Sequence, residues 1–143
     1  MTTLYDADFY SWAKRQAELL RRRSGNEIDW DQIAGEMDNL AGSEERELVA
    51  RLRVLLSHLL KWAFQPERRT RSWRLTIANQ RDELTILMRR NPGLKAKEAE
   101  AFSDAYRLAR RDASLETDLD VDVFPAEPPF TIDQAKDEAY LPE

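Results

Sequence analysis

The chain has no cysteine, a single histidine and only four glycines. Without cysteine it can form no disulfide, no thiolate metal site and no cysteine nucleophile. With His58 as the only histidine, a transition-metal site would have to consist almost entirely of carboxylates. The glycine-rich phosphate loop, the nucleophile elbow and the HExxH metal motif are also missing from the sequence. The sequence therefore contains no specific signal for an enzyme, and we predict no bound metal and no cofactor.

Long hydrophobic runs are missing as well. No segment approaches the roughly 18 consecutive apolar residues of a membrane-spanning helix, so we expect no membrane association. The N-terminus is polar and acidic and lacks the hydrophobic segment of a signal peptide. We therefore expect a cytoplasmic protein. A chain of 143 residues is long enough for one domain with its own core, and we predict a single helical domain spanning residues 1–143.

Charge is distributed unevenly along the chain. The net charge is −5, yet residues 51–90 carry ten basic and three acidic side chains, a net charge of +7. The flanking residues 1–50 and 91–143 carry net charges of −5 and −7. Opposite charges on neighbouring helices neutralise one another. We therefore expect the basic segment to pair with the acidic flanks.

Apolar residues recur at intervals of three and four along most of the chain, which is typical of α-helices. The pattern predicts an all-α bundle of about five main helices followed by an extended C-terminal tail. Its centre is a helical hairpin of residues 43–64 and 72–90, because the widest apolar face lies on the first of these segments. Pro66 separates the two helices, since proline has no N–H to donate and disfavours helical conformation in the preceding residue.

Short-range signals predict where the helices begin and end. Asp6 and Asp29 are candidate N-caps of the first two helices, the latter as part of a capping box. Thr70 or Ser72 caps the second helix of the hairpin. Gly42 is predicted to separate the second helix from the third, although the same signal fits a kink in one long helix.

The C-terminal tail is acidic and rich in proline up to Phe130. Phe124 and Phe130 are the residues that we expect to anchor it on the bundle. Thr131 begins a capping box, which predicts one last short helix.

Polar and aromatic side chains border the apolar face of the hairpin. We group as a candidate structural polar cluster the residues Arg51, His58, Lys61, Trp62, Gln65, Trp73 and Gln80. As a general base, His58 would need a nucleophile and an orienting carboxylate, which its neighbours on the helix do not supply. We interpret it as a partly buried histidine that forms a hydrogen bond across helices and has its pKa lowered by a nearby cation.

Four arginines crowd the elbow of the hairpin: Arg68, Arg69, Arg71 and Arg74. Guanidinium groups beside a helix N-terminus can bind a phosphate, a carboxylate or a nucleic acid. Trp62 flanks this arginine elbow and can stack on an arginine or on a base. Alternatively, the arginines pair with acidic helices of their own chain, which the negative net charge favours.

Several short motifs resemble one known bacterial family across most of the chain. The matching residues are His58-Leu59-Leu60-Lys61-Trp62, Gln65-Pro66, Ser72-Trp73, Thr76-Ile77, Gln80-Arg81, Tyr5-Asp6, Asp8-Phe9-Tyr10, Trp12, Pro129-Phe130-Thr131 and Leu141-Pro142-Glu143. The chain is identified by them as a member of the domain-of-unknown-function family number twenty-nine. Gly35 departs from the family pattern, in which an acidic residue precedes Glu36. The resemblance implies an all-helical fold and no established activity, substrate or cofactor.

Two functions are compatible with these observations. We expect a non-enzymatic cytoplasmic domain for protein interaction or regulation, whose partner protein the sequence does not identify. Leu75 and Ile86 lie on the side of their helix opposite the core face, so a homodimer contact is also compatible with the pattern. The alternative is a module that binds anions or nucleic acids through the arginine elbow. A small hydrolase built on His58 ranks third.

Overall fold

The computed structural model describes residues 3–143, except for the side chains of Phe9 and Tyr10. These residues form no strand and six helices: α1 (Leu4–Ala7), α2 (Phe9–Arg22), α3 (Trp30–Phe64), α4 (Arg71–Arg90), α5 (Glu98–Thr117) and α6 (Ile132–Lys136). Short 3₁₀ turns occur at Gly25–Glu27, Pro66–Arg68, Pro92–Lys97 and Val121–Val123. The predicted all-α fold is confirmed. The side chains of Phe9 and Tyr10, which belong to the family motif, lie outside the described part of the chain.

No helix in the described part of the chain is both long enough and apolar enough to cross a membrane.

The predicted break at Gly42 is wrong. α3 runs through this position without interruption over 35 residues, so the predicted second and third helices are a single helix. Gly42 has no positive φ, and it therefore does not form the left-handed cap that commonly ends a helix. A glycine inside a helix costs only about 1 kcal/mol relative to alanine, which the packing of the neighbouring turns outweighs. Residues 3–143 consequently contain four long helices rather than about five.

Backbone contacts divide the chain into two compact units. One unit ends at Ala41, and the other spans Gly42–Glu143. We call them the smaller and the larger unit. That residues 1–143 form a single domain stays a prediction.

Asp29 organises the smaller unit. Its Oδ2 accepts hydrogen bonds from the Trp12 indole at 2.8 Å and from the Gln16 amide at 3.3 Å. The backbone N–H of Asp29 donates to Gln16 Oε1 at 2.9 Å. Because this N–H is already used, Asp29 does not form the predicted capping box with Gln32. It instead connects the start of α3 to α2.

Of the three other predicted helix starts, two have the predicted cap. The predicted cap at Asp6 is wrong, since Asp8 caps α2 by accepting a hydrogen bond from the Ser11 N–H at 3.0 Å. Thr70, one of the two predicted candidates, caps α4. The capping box at Thr131 is present at the start of α6.

α3 and α4 form the predicted antiparallel hairpin at the centre of the larger unit. Partners on the two helices rise in number along α3 and fall along α4: Glu44 with Asn91, Arg51 with Glu83, and Lys61 with Trp73. Leu75 and Ile86 lie on the outer side of α4 with 59% and 39% of their surface exposed. The homodimer contact suggested for these two residues stays a prediction.

α5 packs beside α3 and runs in the same direction. Arg53 of α3 donates two hydrogen bonds to Asp112 of α5, at 2.5 and 2.8 Å, and Lys61 pairs with Glu116 at 2.5 Å. The hydrogen bonds from Arg53 hold the pKa of Asp112 below its usual range. α5 buries four alanines, whose small side chains suit close packing of helices: Ala101, Ala105, Ala109 and Ala113.

The C-terminal tail belongs to the core of the larger unit. Phe124 is completely buried and Phe130 is 4% exposed, so both predicted anchors are confirmed. Much of the tail is not helical, and side-chain donors satisfy its backbone carbonyls. The Tyr106 hydroxyl donates to the Pro125 carbonyl at 2.5 Å, and Arg110 Nε donates to the Phe124 carbonyl at 2.9 Å. Burial raises the pKa of Tyr106 to about 12, so this hydroxyl remains a donor at neutral pH.

Candidate functional site: an arginine-lined cleft at the hairpin elbow

A cleft of about 730 Å³ lies where α3, the first turns of α4 and the C-terminal tail meet. We call it the arginine cleft, because four arginines line it: Arg69, Arg71, Arg74 and Arg81. Its apolar wall includes the side chains of Trp62, Leu75, Ile77 and Leu141. Two acidic residues, Asp82 and Glu138, also border it.

The start of α4 fixes the spacing of these arginines. Thr70 Oγ1 accepts a hydrogen bond from the Trp73 N–H at 3.1 Å, and this cap sets the first helical turn. Arg71, Arg74 and Arg81 then follow at intervals of three and seven residues. Such intervals place side chains on the same face of a helix. The local sequence therefore aligns three guanidinium groups along one wall.

Arg69 holds the elbow together. Its Nε donates to the Trp62 carbonyl at 2.9 Å, and its Nη2 lies 3.5 Å from the Pro142 carbonyl. The guanidinium carbon lies 4.9 Å from the centre of the Trp62 ring, within cation–π distance. Arg69 therefore connects the end of α3 to the C-terminal tail.

Arg81 is the one cleft arginine that the sequence analysis did not place among the candidate anion-binding residues. It is only 4% exposed, and it donates to the Ala135 carbonyl and to the Tyr140 carbonyl, at 2.8 Å each. Burial lowers the pKa of Arg81, an effect opposed mainly by the negative charges of the tail. Its position between Ile77 and Leu84, on the buried face of α4, is the sequence signal that identifies an inward-facing arginine.

Arg71 and Arg74 differ from these two arginines because both are exposed. The structure describes every residue of the larger unit, and no carboxylate in that unit forms an ion pair with either of them. Arg68 is likewise exposed and without an ion pair in the larger unit, but it does not line the cleft. The predicted internal ion pairs of the arginine elbow are therefore not formed within this unit.

Two members of the predicted polar cluster, Lys61 and Trp73, are in contact, whereas Arg51 pairs with residues outside the cluster. Arg51 takes part in ion pairs with Glu47 at 3.6 Å and with Glu83 at 3.8 Å. Lys61 is buried, and its Nζ lies 5.2 Å from the centre of the Trp73 ring. These residues stabilise helix contacts.

Two further polar residues of that cluster, Gln65 and Gln80, lie beside the core. Gln65 is buried at the end of α3. Gln80 Oε1 is a buried acceptor that has no hydrogen-bond partner among the described residues. No group of three or more histidine, aspartate or glutamate side chains in the described part of the chain is arranged to hold a metal ion.

His58 is half-buried, and its hydrogen bond is formed within its own helix. Nδ1 lies 2.8 Å from the Val54 carbonyl, so in the neutral ring this nitrogen carries the proton. The predicted hydrogen bond across helices is therefore wrong. Burial lowers the pKa of His58, and the Lys61 charge adds to this effect, while the hydrogen bond to Val54 acts in the opposite direction. The neutral form of His58 is favoured in the folded protein.

We expect His58→Ala to reduce stability by about 1–3 kcal/mol at pH 7.5 and by less at pH 5.5. The folded pKa lies below the ordinary value of 6.5, so the unfolded chain binds a proton more readily. The contribution of His58 is complete above about pH 6.5 and is lost as the pH falls towards the folded pKa. Urea denaturation of both proteins at several pH values measures this difference. If the loss of stability in His58→Ala is the same at pH 5.5 and pH 7.5, the pKa of His58 is not lowered in the folded protein.

The fold defines the class of protein: an all-α domain built on a helical hairpin, with a basic cleft at its elbow. The family model called Domain of unknown function DUF29 matches residues 4–141, which is nearly the whole chain. The chain therefore belongs to this family, and the resemblance seen in the sequence is confirmed. Neither a curated protein nor a solved structure matches the chain.

Proposed function

We propose that the chain is a non-enzymatic interaction domain of the bacterial cytoplasm, whose arginine cleft holds an anionic group of its partner. The observation that carries this proposal is that two of the cleft arginines are exposed and form no ion pair within the larger unit. Arg71 and Arg74 are exposed on one wall and form no ion pair within the larger unit. A carboxylate or a phosphate placed between them would supply the negative charge that this unit does not.

The other two arginines make the cleft ready to bind. Arg69 and Arg81 donate hydrogen bonds to backbone carbonyls of α3 and of the tail. These bonds hold the α3 wall and the tail wall of the cleft in place. The first turn of α4 adds free backbone N–H groups and the positive end of its dipole. A preformed site loses little conformational freedom when its ligand binds.

The chemistry around the cleft supports binding rather than catalysis. Among the described residues that line it, Thr70 is the one hydroxyl side chain and there is no histidine. Thr70 Oγ1 already accepts the Trp73 N–H, and His58 Nδ1 is taken by the Val54 carbonyl. A nucleophile paired with a base would need both groups in one place.

We expect the native protein to bind two anionic probes, pyrophosphate and a polyglutamate peptide, at low ionic strength. The double variant Arg71→Ala/Arg74→Ala should weaken both affinities by about tenfold or more, since hydrogen bonds to charged groups contribute about 1.5–3 kcal/mol each. Binding is measured by the change in tryptophan fluorescence, because Trp62 borders the cleft. The stability of this variant should change by only about 0.5 kcal/mol, because both side chains are exposed.

Arg89→Ala/Arg90→Ala is the matched control. These arginines are also exposed and lie on α4, in its last turn, so the control removes the same charge outside the cleft. It should leave both affinities unchanged. Equal losses in the two double variants, or no saturable binding of either probe to the native protein, would show that the cleft is not an anion site.

A further inference from the structure

We infer that the ligand of the arginine cleft is an acidic protein segment, in which one or two carboxylates stand beside a large apolar side chain. This inference rests on the proposed function, which requires only that the cleft bind an anion. A nucleic acid is the competing occupant. The apolar and acidic residues that line the cleft favour the protein segment over the nucleic acid.

Leu75 supplies the first argument. It is 59% exposed, and it lies one helical turn after Arg71 and directly after Arg74. An exposed leucine beside two guanidinium groups that form no ion pair in this unit gives a surface with both kinds of contact. Carboxylates can bind the arginines while an apolar side chain covers Leu75, which removes apolar surface from water.

The apolar wall extends beyond this leucine. Leu141 of the tail and Trp62 of α3 line the same cleft. Arg81 fixes the tail at Ala135 and Tyr140, so this wall does not have to form when the ligand arrives. The volume of about 730 Å³ lies within the range of roughly 300–1,000 Å³ that is common for ligand sites. The cleft therefore has the shape and the surface to select one apolar side chain.

Two acidic side chains oppose a nucleic acid. Asp82 and Glu138 are both exposed and border the cleft. A phosphate backbone carries a charge at every nucleotide, so phosphates next to the bound one would meet these carboxylates. Residues 91–143, which belong to the same unit, add a net charge of −7. A short acidic segment avoids this repulsion because its charges are confined to the arginines.

The test uses three dye-labelled probes and fluorescence anisotropy with the full chain. The first probe is a short peptide with a glutamate on either side of one leucine, the second replaces this leucine with serine, and the third is an oligothymidylate of equal charge. We expect the leucine peptide to bind about tenfold more tightly than the serine peptide, in line with the burial of one leucine. The oligothymidylate should bind most weakly, and Asp82→Asn/Glu138→Gln should strengthen its binding.

Leu75→Ser tests the apolar contact directly. It should weaken binding of the leucine peptide by about tenfold and leave binding of the serine peptide unchanged. Leu115→Ser is the matched control, because Leu115 is 71% exposed on α5 and does not line the cleft. If oligothymidylate binds most tightly and Leu75→Ser has no effect, the inference is wrong while the proposed function survives. If no probe binds, both are wrong.

Discussion

Phe124→Ala should destabilise the protein by about 3–5 kcal/mol, because it removes a completely buried ring from the core. The ring packs edge to face against Phe64 at the end of α3, with centroids 5.5 Å apart. The truncation leaves a cavity where the tail meets the hairpin, and side chains held in α-helices can fill it only in part. Urea denaturation monitored by circular dichroism measures the change.

Val123→Ala is the control for this prediction. Val123 precedes Phe124 in the tail and is 43% exposed, so its truncation should change stability by only about 0.5 kcal/mol. A similarly small effect of Phe124→Ala would mean that the tail is not part of the core. The structure would then be wrong about how residues 121–130 pack.

Arg81→Ala should cost about 2–4 kcal/mol, since the buried Ala135 carbonyl and the partly buried Tyr140 carbonyl lose a charged donor at once. Arg81→Lys keeps the charge, but a single ammonium cannot reproduce the fork that reaches both Ala135 and Tyr140. We therefore expect the lysine variant to lie between the native protein and the alanine variant in urea denaturation. Arg89→Ala, at an exposed position of the same helix, should be nearly neutral.

A second measurement separates this role from a general loss of packing. In the sequence, Lys136 lies between Ala135 and Tyr140, whose carbonyls Arg81 binds. Trypsin cleaves after lysine. Release of the tail in Arg81→Ala should accelerate cleavage at Lys136 under native conditions, whereas Phe64→Leu, a mild change in the core, should not. Unchanged cleavage in Arg81→Ala would show that Arg81 does not restrain the tail.

Features that depend on neighbours in the chain were predicted correctly from the sequence. Thr131 and Thr70, the latter as one of two candidates, were placed at helix starts because a cap and the N–H that donates to it are separated by only three residues. Pro66 marked the elbow for an equally local reason, its missing N–H. The helical period located the hairpin and its buried leucines. Asp6 and Gly42 show the limit of such signals, because an alternative cap or the packing of adjacent turns outweighs a local preference of about 1 kcal/mol.

The candidate site was only partly visible before the structure. Arg69, Arg71 and Arg74 were grouped correctly because they are close in sequence. The groups that these arginines contact were not predicted. The sequence determined the helices, their caps and the concentration of positive charge in residues 51–90. Tertiary structure alone decided that Arg81 donates a hydrogen bond to the tail 54 residues further on. It also decided that Arg71 and Arg74 form no ion pair within their unit. The physical reason is that the burial of a side chain and the groups it pairs with depend on packing between distant segments. Short-range periodicity does not encode that packing.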